Sequence, residues 1–237
     1  MSSSATVVEA ELDALADREH AEVLQRFFKT GSGGYGEGDV FLGIRVPAVR
    51  RVARAHRTAS TATVRRLLAS EVHEHRFVAL AILCLQYDRA DAAERDRIAD
   101  LYLELRDRVN NWDLVDSSAE YLLAGRVARA PRKLLDPLLA SEVVWDRRIA
   151  VLATYALIKR GSFDQTVRVC EALLGDTHDL IHKATGWMLR EVGKRDERVL
   201  RDFLDRHAGR MPRTMLRYSL ERLPDEDRVR YMAAGRR

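Results

Sequence analysis

Cysteine is almost missing from this chain. Cys84 and Cys170 are the only two in 237 residues. Each lies in an apolar stretch and neither belongs to a CxxC, which argues against a disulfide framework or a cysteine zinc site. No stretch reaches 18 apolar residues, so no membrane span is expected. The opening Met-Ser-Ser-Ser-Ala-Thr has no basic region followed by an apolar run, so it does not read as a secretion signal. A cytoplasmic protein in a reducing environment is the expectation. Several catalytic signatures are also absent. There is no GxxxxGK[ST] phosphate loop, no HExxH and no GxSxG elbow. His73 and His75 are two apart and do not share a helix face, so they make a poor metal pair. No metal site is expected.

Lysine is scarce too. Nearly all of the 40 basic residues are arginine, set against 36 acidic ones, and the net charge is only +4. Such a balance does not by itself mark a nucleic-acid binder; what counts is whether the guanidinium groups cluster on one face. Arg forms forked contacts to phosphate that Lys cannot make, although a coding bias toward Arg would produce the same composition. With 46% hydrophobic residues, the chain can build a sizeable core.

What is present reads as helix after helix. Residues 7–29 are amphipathic, with Leu12, Leu15, Val23, Leu24 and Phe27 at helical spacings. Five glycines in the eight residues 31–38 then make a loop. Pro47 suits the first position of the next helix, and Thr61 can cap the one after it. Further helices are expected over 73–87, 92–108, 112–124, 132–139, 145–159, 163–174, 178–192, 197–207, 212–220 and 225–232. No alternating β-branched run of strand length stands out. Leu67-Leu68-Ala69-Ser70-Glu71-Val72 recurs as Leu138-Leu139-Ala140-Ser141-Glu142-Val143. The match continues loosely, with Arg76, Val78 and Ala79 opposite Arg147, Ile149 and Ala150. The offset of 71 residues fits two helical hairpins of about 35 residues each, in the range of α-solenoid repeats. The expected fold is all-α: a right-handed α-α superhelix of HEAT-like repeats, one domain over 1–237, with its binding surface on the concave face.

Three segments stand out for chemistry. In Asn110-Asn111-Trp112-Asp113-Leu114-Val115-Asp116, Asn110 or Asn111 can cap a helix and Asp113 falls in its first turn, where the dipole favours an anion. Asp116 lies four residues after Trp112, so carboxylate and indole share a face that suits a cation. A core Trp beside a solvated Asp would give the same spacing. In Trp145-Asp146-Arg147-Arg148 the adjacent arginines point about 100° apart, one toward a groove or both into solvent. In the third segment Lys183, Trp187 and Arg190 fall on one helix face, with Gly186 thinning the surface beside the indole. That stripe fits a nucleic-acid backbone or a Trp anchoring repeat packing. Lys194, Arg213 and Thr214 add donors at later helix ends.

Taken with the Phe41-Leu42-Gly43-Ile44 stretch, these segments resemble the alkylpurine DNA glycosylases of the AlkC/AlkD family, helical proteins of HEAT-like repeats. The resemblance covers nearly the whole chain. It implies Trp112, Asp116, Arg148 and Trp187 as the catalytic set, converging on the concave face. Arg148 is preferred over Arg147 because the family's Arg stands two residues before an Ala, here Ala150. Arg147, Lys183, Arg190, Lys194, Arg213 and Thr214 are the expected DNA contacts. The implied activity is hydrolysis of the N-glycosidic bond of cationic N3- or N7-alkylated purines in double-stranded DNA, by a monomer without cofactor, cytoplasmic and at the nucleoid while it acts. The Gly-rich loop departs from the family, and whether Phe27, Phe28 or Tyr35 lines the site is open. A non-catalytic nucleic-acid-binding or scaffold repeat protein is the alternative.

Overall fold

The computed structural model describes residues 4–234; residues 1–3, part of the N-terminal stretch read above, lie outside them. The described chain is all-α. Its only extended feature is an isolated parallel bridge between Val40 and Val72. Two compact units divide it, residues 1–122 and residues 123–237.

Helix starts follow capping chemistry. Asp17, Ser60, Asp91 and Asp196 each turn a side-chain oxygen onto a first-turn N–H, satisfying donors that no helix can satisfy itself. Ser60 caps the helix Thr61–Leu68, so Thr61 is its first residue and not the cap expected. Pro47 sits one place inside the helix Val46–Ala55.

Where one long helix was expected, the chain often breaks. Residues 7–29 form two helices, Ala5–Asp13 and Arg18–Phe27, because the Asp17 amide bonds Leu42 O at 2.8 Å while its carboxylate caps the second helix. The expected helix over 112–124 stops at Asp116. There Ser118 Oγ donates to Leu114 O at 2.6 Å, and a hydroxyl bonded to a carbonyl one turn back competes with helix continuation. Thr154 does the same to Val151 O at 2.7 Å, splitting the expected 145–159 helix into Val144–Ala153 and Tyr155–Ile158.

The repeat seen in the sequence is a repeated hydrogen-bond pattern. Ser70 Oγ accepts from the Val72 amide at 3.1 Å, and Arg76 donates to Ser70 O at 2.9 Å. Seventy-one residues on, Ser141 Oγ accepts from Val143 at 3.2 Å and Arg147 donates to Ser141 O at 2.8 Å. A third copy follows 35 residues later with different residues. Asp176 accepts from the His178 amide at 2.8 Å, and His182 Nε2 bonds Asp176 O at 2.5 Å. The period of about 35 is therefore real, and the six-residue match marks a turn in which a side chain one helical turn in holds the carbonyl before the helix.

Gly186 lies where two helices pack. A Cβ there would come within 2.5 Å of Met215 O and 2.6 Å of Tyr218 Cβ. Close packing of the helix Asp179–Gly193 on Arg213–Ser219 requires the glycine.

Candidate active site

In the N-terminal unit a cavity of about 450 Å³ opens between the helices Arg18–Phe27, Val46–Ala55, His73–Arg89 and Trp112–Asp116. Its wall includes Trp112, Asp113, Asp116, Phe27, Phe28 and Phe41. Trp112 and Asp116 thus face one space, as their four-residue spacing requires.

Trp112 is held from two sides. Its ring lies on Phe28 at 5.2 Å and 17°; Phe28 lies on Phe41 at 4.8 Å and 20°; Phe41 lies on His73 at 4.3 Å and 21°. Each ring in this series lies within 21° of the next, and the series backs the cavity. Phe27 meets the indole edge-on at 6.0 Å and remains 60% exposed. The indole N–H donates to Tyr35 Oη at 3.2 Å, and Tyr35 Oη donates to Phe27 O at the same distance. Phe27 and Phe28 line the cavity, while Tyr35 accepts the Trp112 N–H. The Gly-rich loop carries Tyr35 and passes close to the backbone of Lys29 and Phe28. A Cβ at Gly36 would lie 2.5 Å from Phe28 O, and one at Gly34 only 1.8 Å from Lys29 O.

Beneath the rings is a buried charged network. His73 Nε2 bonds Asp113 Oδ2 at 2.8 Å, and its Nδ1 bonds Asp39 Oδ2 at 3.1 Å. Asp39 is also bound by Arg76 and, at 3.0 Å, by Asn111 Nδ2. Burial alone would push the His73 pKa down. Hydrogen bonds and charge from Asp113 and Asp39 outweigh it and push it up to about 9. His73 is therefore an imidazolium at neutral pH, flanked by two carboxylates. For Asp39 burial acts to raise the pKa, but His73, Arg76 and Asn111 together hold it below the usual carboxylate range. Asp113, read from sequence as a first-turn anion, does accept the Leu114 amide at 2.8 Å. It is equally the partner of a histidine 40 residues away, which no local spacing signals.

Glu74 supports the neighbouring wall. Its carboxylate accepts the amides of Leu42, Gly43 and Ile44 at 3.0, 2.9 and 3.1 Å. Gly43, at φ +83°, leaves its missing Cβ within 2.1 Å of Asp17 O. The Phe41–Ile44 stretch is thus a carboxylate-bound turn that delivers Phe41 into the ring stack. At the cavity edge Arg45 and Arg50 are exposed, and among the described residues their guanidinium groups have no hydrogen bond or ion pair.

The remaining sequence candidates lie in the C-terminal unit. Arg148 is buried and donates to Leu180 O at 2.5 Å. Arg147 pairs with Asp176 at 2.7 Å inside the repeated turn. Trp187 is half-buried. Its N–H reaches Glu191 at 3.3 Å, and its ring meets the edge of Tyr155 at 5.9 Å. Burial would raise the Glu191 pKa, yet Lys194 (2.6 Å) and Arg195 (3.2 Å) lower it. Lys183 pairs with Asp179 at 2.8 Å, and Arg190 pairs with Glu221. Arg213 donates to Met232 O at 2.8 Å, and the Thr214 side chain bonds Asp179. Both cysteines carry free thiols, and no helix of the described residues is long and apolar enough to cross a membrane.

An all-helical repeat chain with an aromatic, carboxylate-bearing cavity is the class these features define. Residues 8–223 match the family model described as DNA alkylation repair enzyme, and the chain belongs to that family. Membership implies DNA as the substrate. No curated protein matches the sequence. Among solved structures, one described as a predicted DNA alkylation repair enzyme from Enterococcus faecalis superposes with a TM-score of 0.69 at 17% identity, covering 89% of this chain and 97% of that one. At that identity the likeness shows the shared fold.

Proposed function

We propose that the chain is a DNA glycosylase that hydrolyses the N-glycosidic bond of cationic N3- and N7-alkylated purines, the first step of base excision repair. The observation that carries this reading is the cavity in which the Asp116 carboxylate shares a wall with Trp112, Phe27 and Phe28. Alkylation at N3 or N7 makes the base a cation and a good leaving group. When the bond from C1′ breaks, its electron pair neutralises the base, and positive charge passes to an oxocarbenium-like sugar. A strong general acid is unnecessary. Asp116 stabilises the sugar cation and orients the water that adds to C1′, whose proton is released. The Trp112 face attracts the cationic base.

Arg148 and Trp187 complete the proposed catalytic set, as the resemblance implies. Arg147, Lys183, Arg190, Lys194, Arg213 and Thr214 are proposed contacts to the phosphates of duplex DNA, each giving up an internal partner to reach them. The enzyme acts as a cytoplasmic monomer without a cofactor. The test is incubation with methylated duplex DNA and mass-spectrometric assay of free bases. Release of 3-methyladenine or 7-methylguanine supports the proposal. Tight DNA binding with no released base makes the chain a non-catalytic binding protein.

A further inference from the structure

A second cavity, of about 350 Å³, lies in the same unit. It shares Arg50, Phe77 and Ser117 with the first, so the two spaces have a common wall. A polymer crossing Arg50 would present one residue to each. The second cavity has a floor of Ala53, Ala81 and Leu85 and, at its rim, Tyr121, which is 50% exposed. Arg50 and Arg54 stand one turn apart on the helix Val46–Ala55. Both are exposed, and neither guanidinium has a hydrogen bond or ion pair among the described residues. The single acid in the wall is Asp88.

The cavity also holds Cys84, but its chemistry is not that of a reactive thiol. Burial pushes the Cys84 pKa up to about 12, and the thiol donates weakly to Ser117 O at 3.7 Å. What remains is a half-exposed aromatic ring in one cavity wall with two guanidinium groups that form no ion pair among the described residues. Stacking on an aromatic ring and forked contact to phosphate are the two means by which proteins hold a nucleotide of any sequence.

We propose that this second cavity is a subsite for the nucleotide next to the damaged one on the same strand, its base on Tyr121 and its phosphate on Arg50 and Arg54. The proposal rests on the reading that the first cavity faces the damaged base. It makes the minimal substrate at least a dinucleotide, and it makes recognition of the neighbour independent of sequence.

The experiment uses a duplex with one 7-methylguanine and the fluorescent base 2-aminopurine next to it, on either side in turn. Binding should change the fluorescence at one flank only. Tyr121→Ala should abolish that change and weaken binding roughly 5- to 150-fold, the range of one lost base–aromatic stack. Tyr121→Phe should restore both. Arg54→Ala should lower the slope of log affinity against log salt by about one phosphate contact. Arg51→Ala removes the same charge from the same helix but touches neither cavity, and should leave the slope unchanged. If Arg54→Ala keeps the wild-type slope, or 2-aminopurine responds equally in wild type and Tyr121→Ala, the subsite is overturned while base release still stands. If wild type releases no base yet Tyr121→Ala and Arg54→Ala weaken binding as expected, the glycosylase reading fails and the nucleotide subsite survives.

Discussion

The arginines at the cavities of the first unit and the basic residues that the sequence singled out in the second differ in their partners. In the N-terminal unit, Arg45, Arg50 and Arg54 stand at cavity edges with no ion pair among the described residues. In the C-terminal unit Arg147, Lys183, Arg190 and Lys194 each hold a carboxylate, and Arg213 holds a backbone carbonyl. These latter contacts are not all alike. Lys183 and Asp179 are 40% and 57% exposed, and such surface pairs contribute about 0–1 kcal/mol. Arg147 and Asp176 are 17% and 6% exposed and belong to the repeated turn. The difference teaches that a count of arginines says little about charge available to a ligand. The three arginines at the cavity edges hold no carboxylate among the described residues, whereas most of the singled-out basic residues of the second unit are engaged, and only their exposed pairs can be released at small cost.

The largest effect should come from the carboxylate that the first unit turns into its cavity. Asp116→Asn should slow single-turnover excision of 7-methylguanine by about 10²–10³, the usual cost of losing one electrostatic contact to a transition state. Duplex binding should hold or tighten, since a carboxylate near phosphates repels them. Wild-type excision by Asp116→Asn would remove the chemical distinction between the units.

Next in size is the pH dependence of the first unit. The folded-state pKa of His73 is raised to about 9 from an ordinary 6.5. Its stabilising contribution is therefore complete below about pH 6.5 and is lost as pH rises through 9, amounting to a few kcal/mol at most. Thermal melting should fall across that window in wild type, and His73→Gln should flatten the fall. An unchanged pH profile in His73→Gln would mean that the imidazolium between Asp39 and Asp113 is not what stabilises the wall.

The smallest effect sharpens the charge comparison directly. Arg45→Ala should lower the salt slope of DNA binding by about one contact. Lys183→Ala should do the same if Lys183 leaves Asp179 for phosphate, and then Asp179→Asn should tighten binding by freeing it. Titrations in which Lys183→Ala and Asp179→Asn both behave as wild type would confine phosphate contact at this position to neither partner.

Much of the scaffold was legible in the residues. Apolar periodicity located the helices, and the Leu-Leu-Ala-Ser-Glu-Val match located the repeat. Periodicity could not see the breaks at Ser118 and Thr154, because a hydroxyl bonding back one turn leaves the apolar pattern intact. The pairing of Trp112 with Asp116 on one wall was legible because helical geometry fixes it. The role of Tyr35 was not, nor that of His73 as partner to Asp113. Both depend on which distant segments meet, and nothing in local spacing encodes that. The Gly-rich loop announced itself by composition alone; its purpose, close passage beside Phe28 and Lys29, needed coordinates.

The bonds around Trp112 carry a consequence for folding order. Tyr35 meets Trp112 across 77 residues of chain, and Asp39 meets Asn111 across 72. The repeated turns close over six residues or fewer. Local loops close at small entropic cost and early, whereas these long ones are favourable only after the intervening hairpins exist. In the first unit the turn at Ser70 is of the short kind, so local closure there is expected to precede the pocket. The same hierarchy predicts that a partial opening of the loop over 31–38 removes the Tyr35 bond to Trp112 while the hairpins stay folded. Amide exchange in that loop would then report loss of the binding-competent state at conditions where the far-ultraviolet helical signal is still intact.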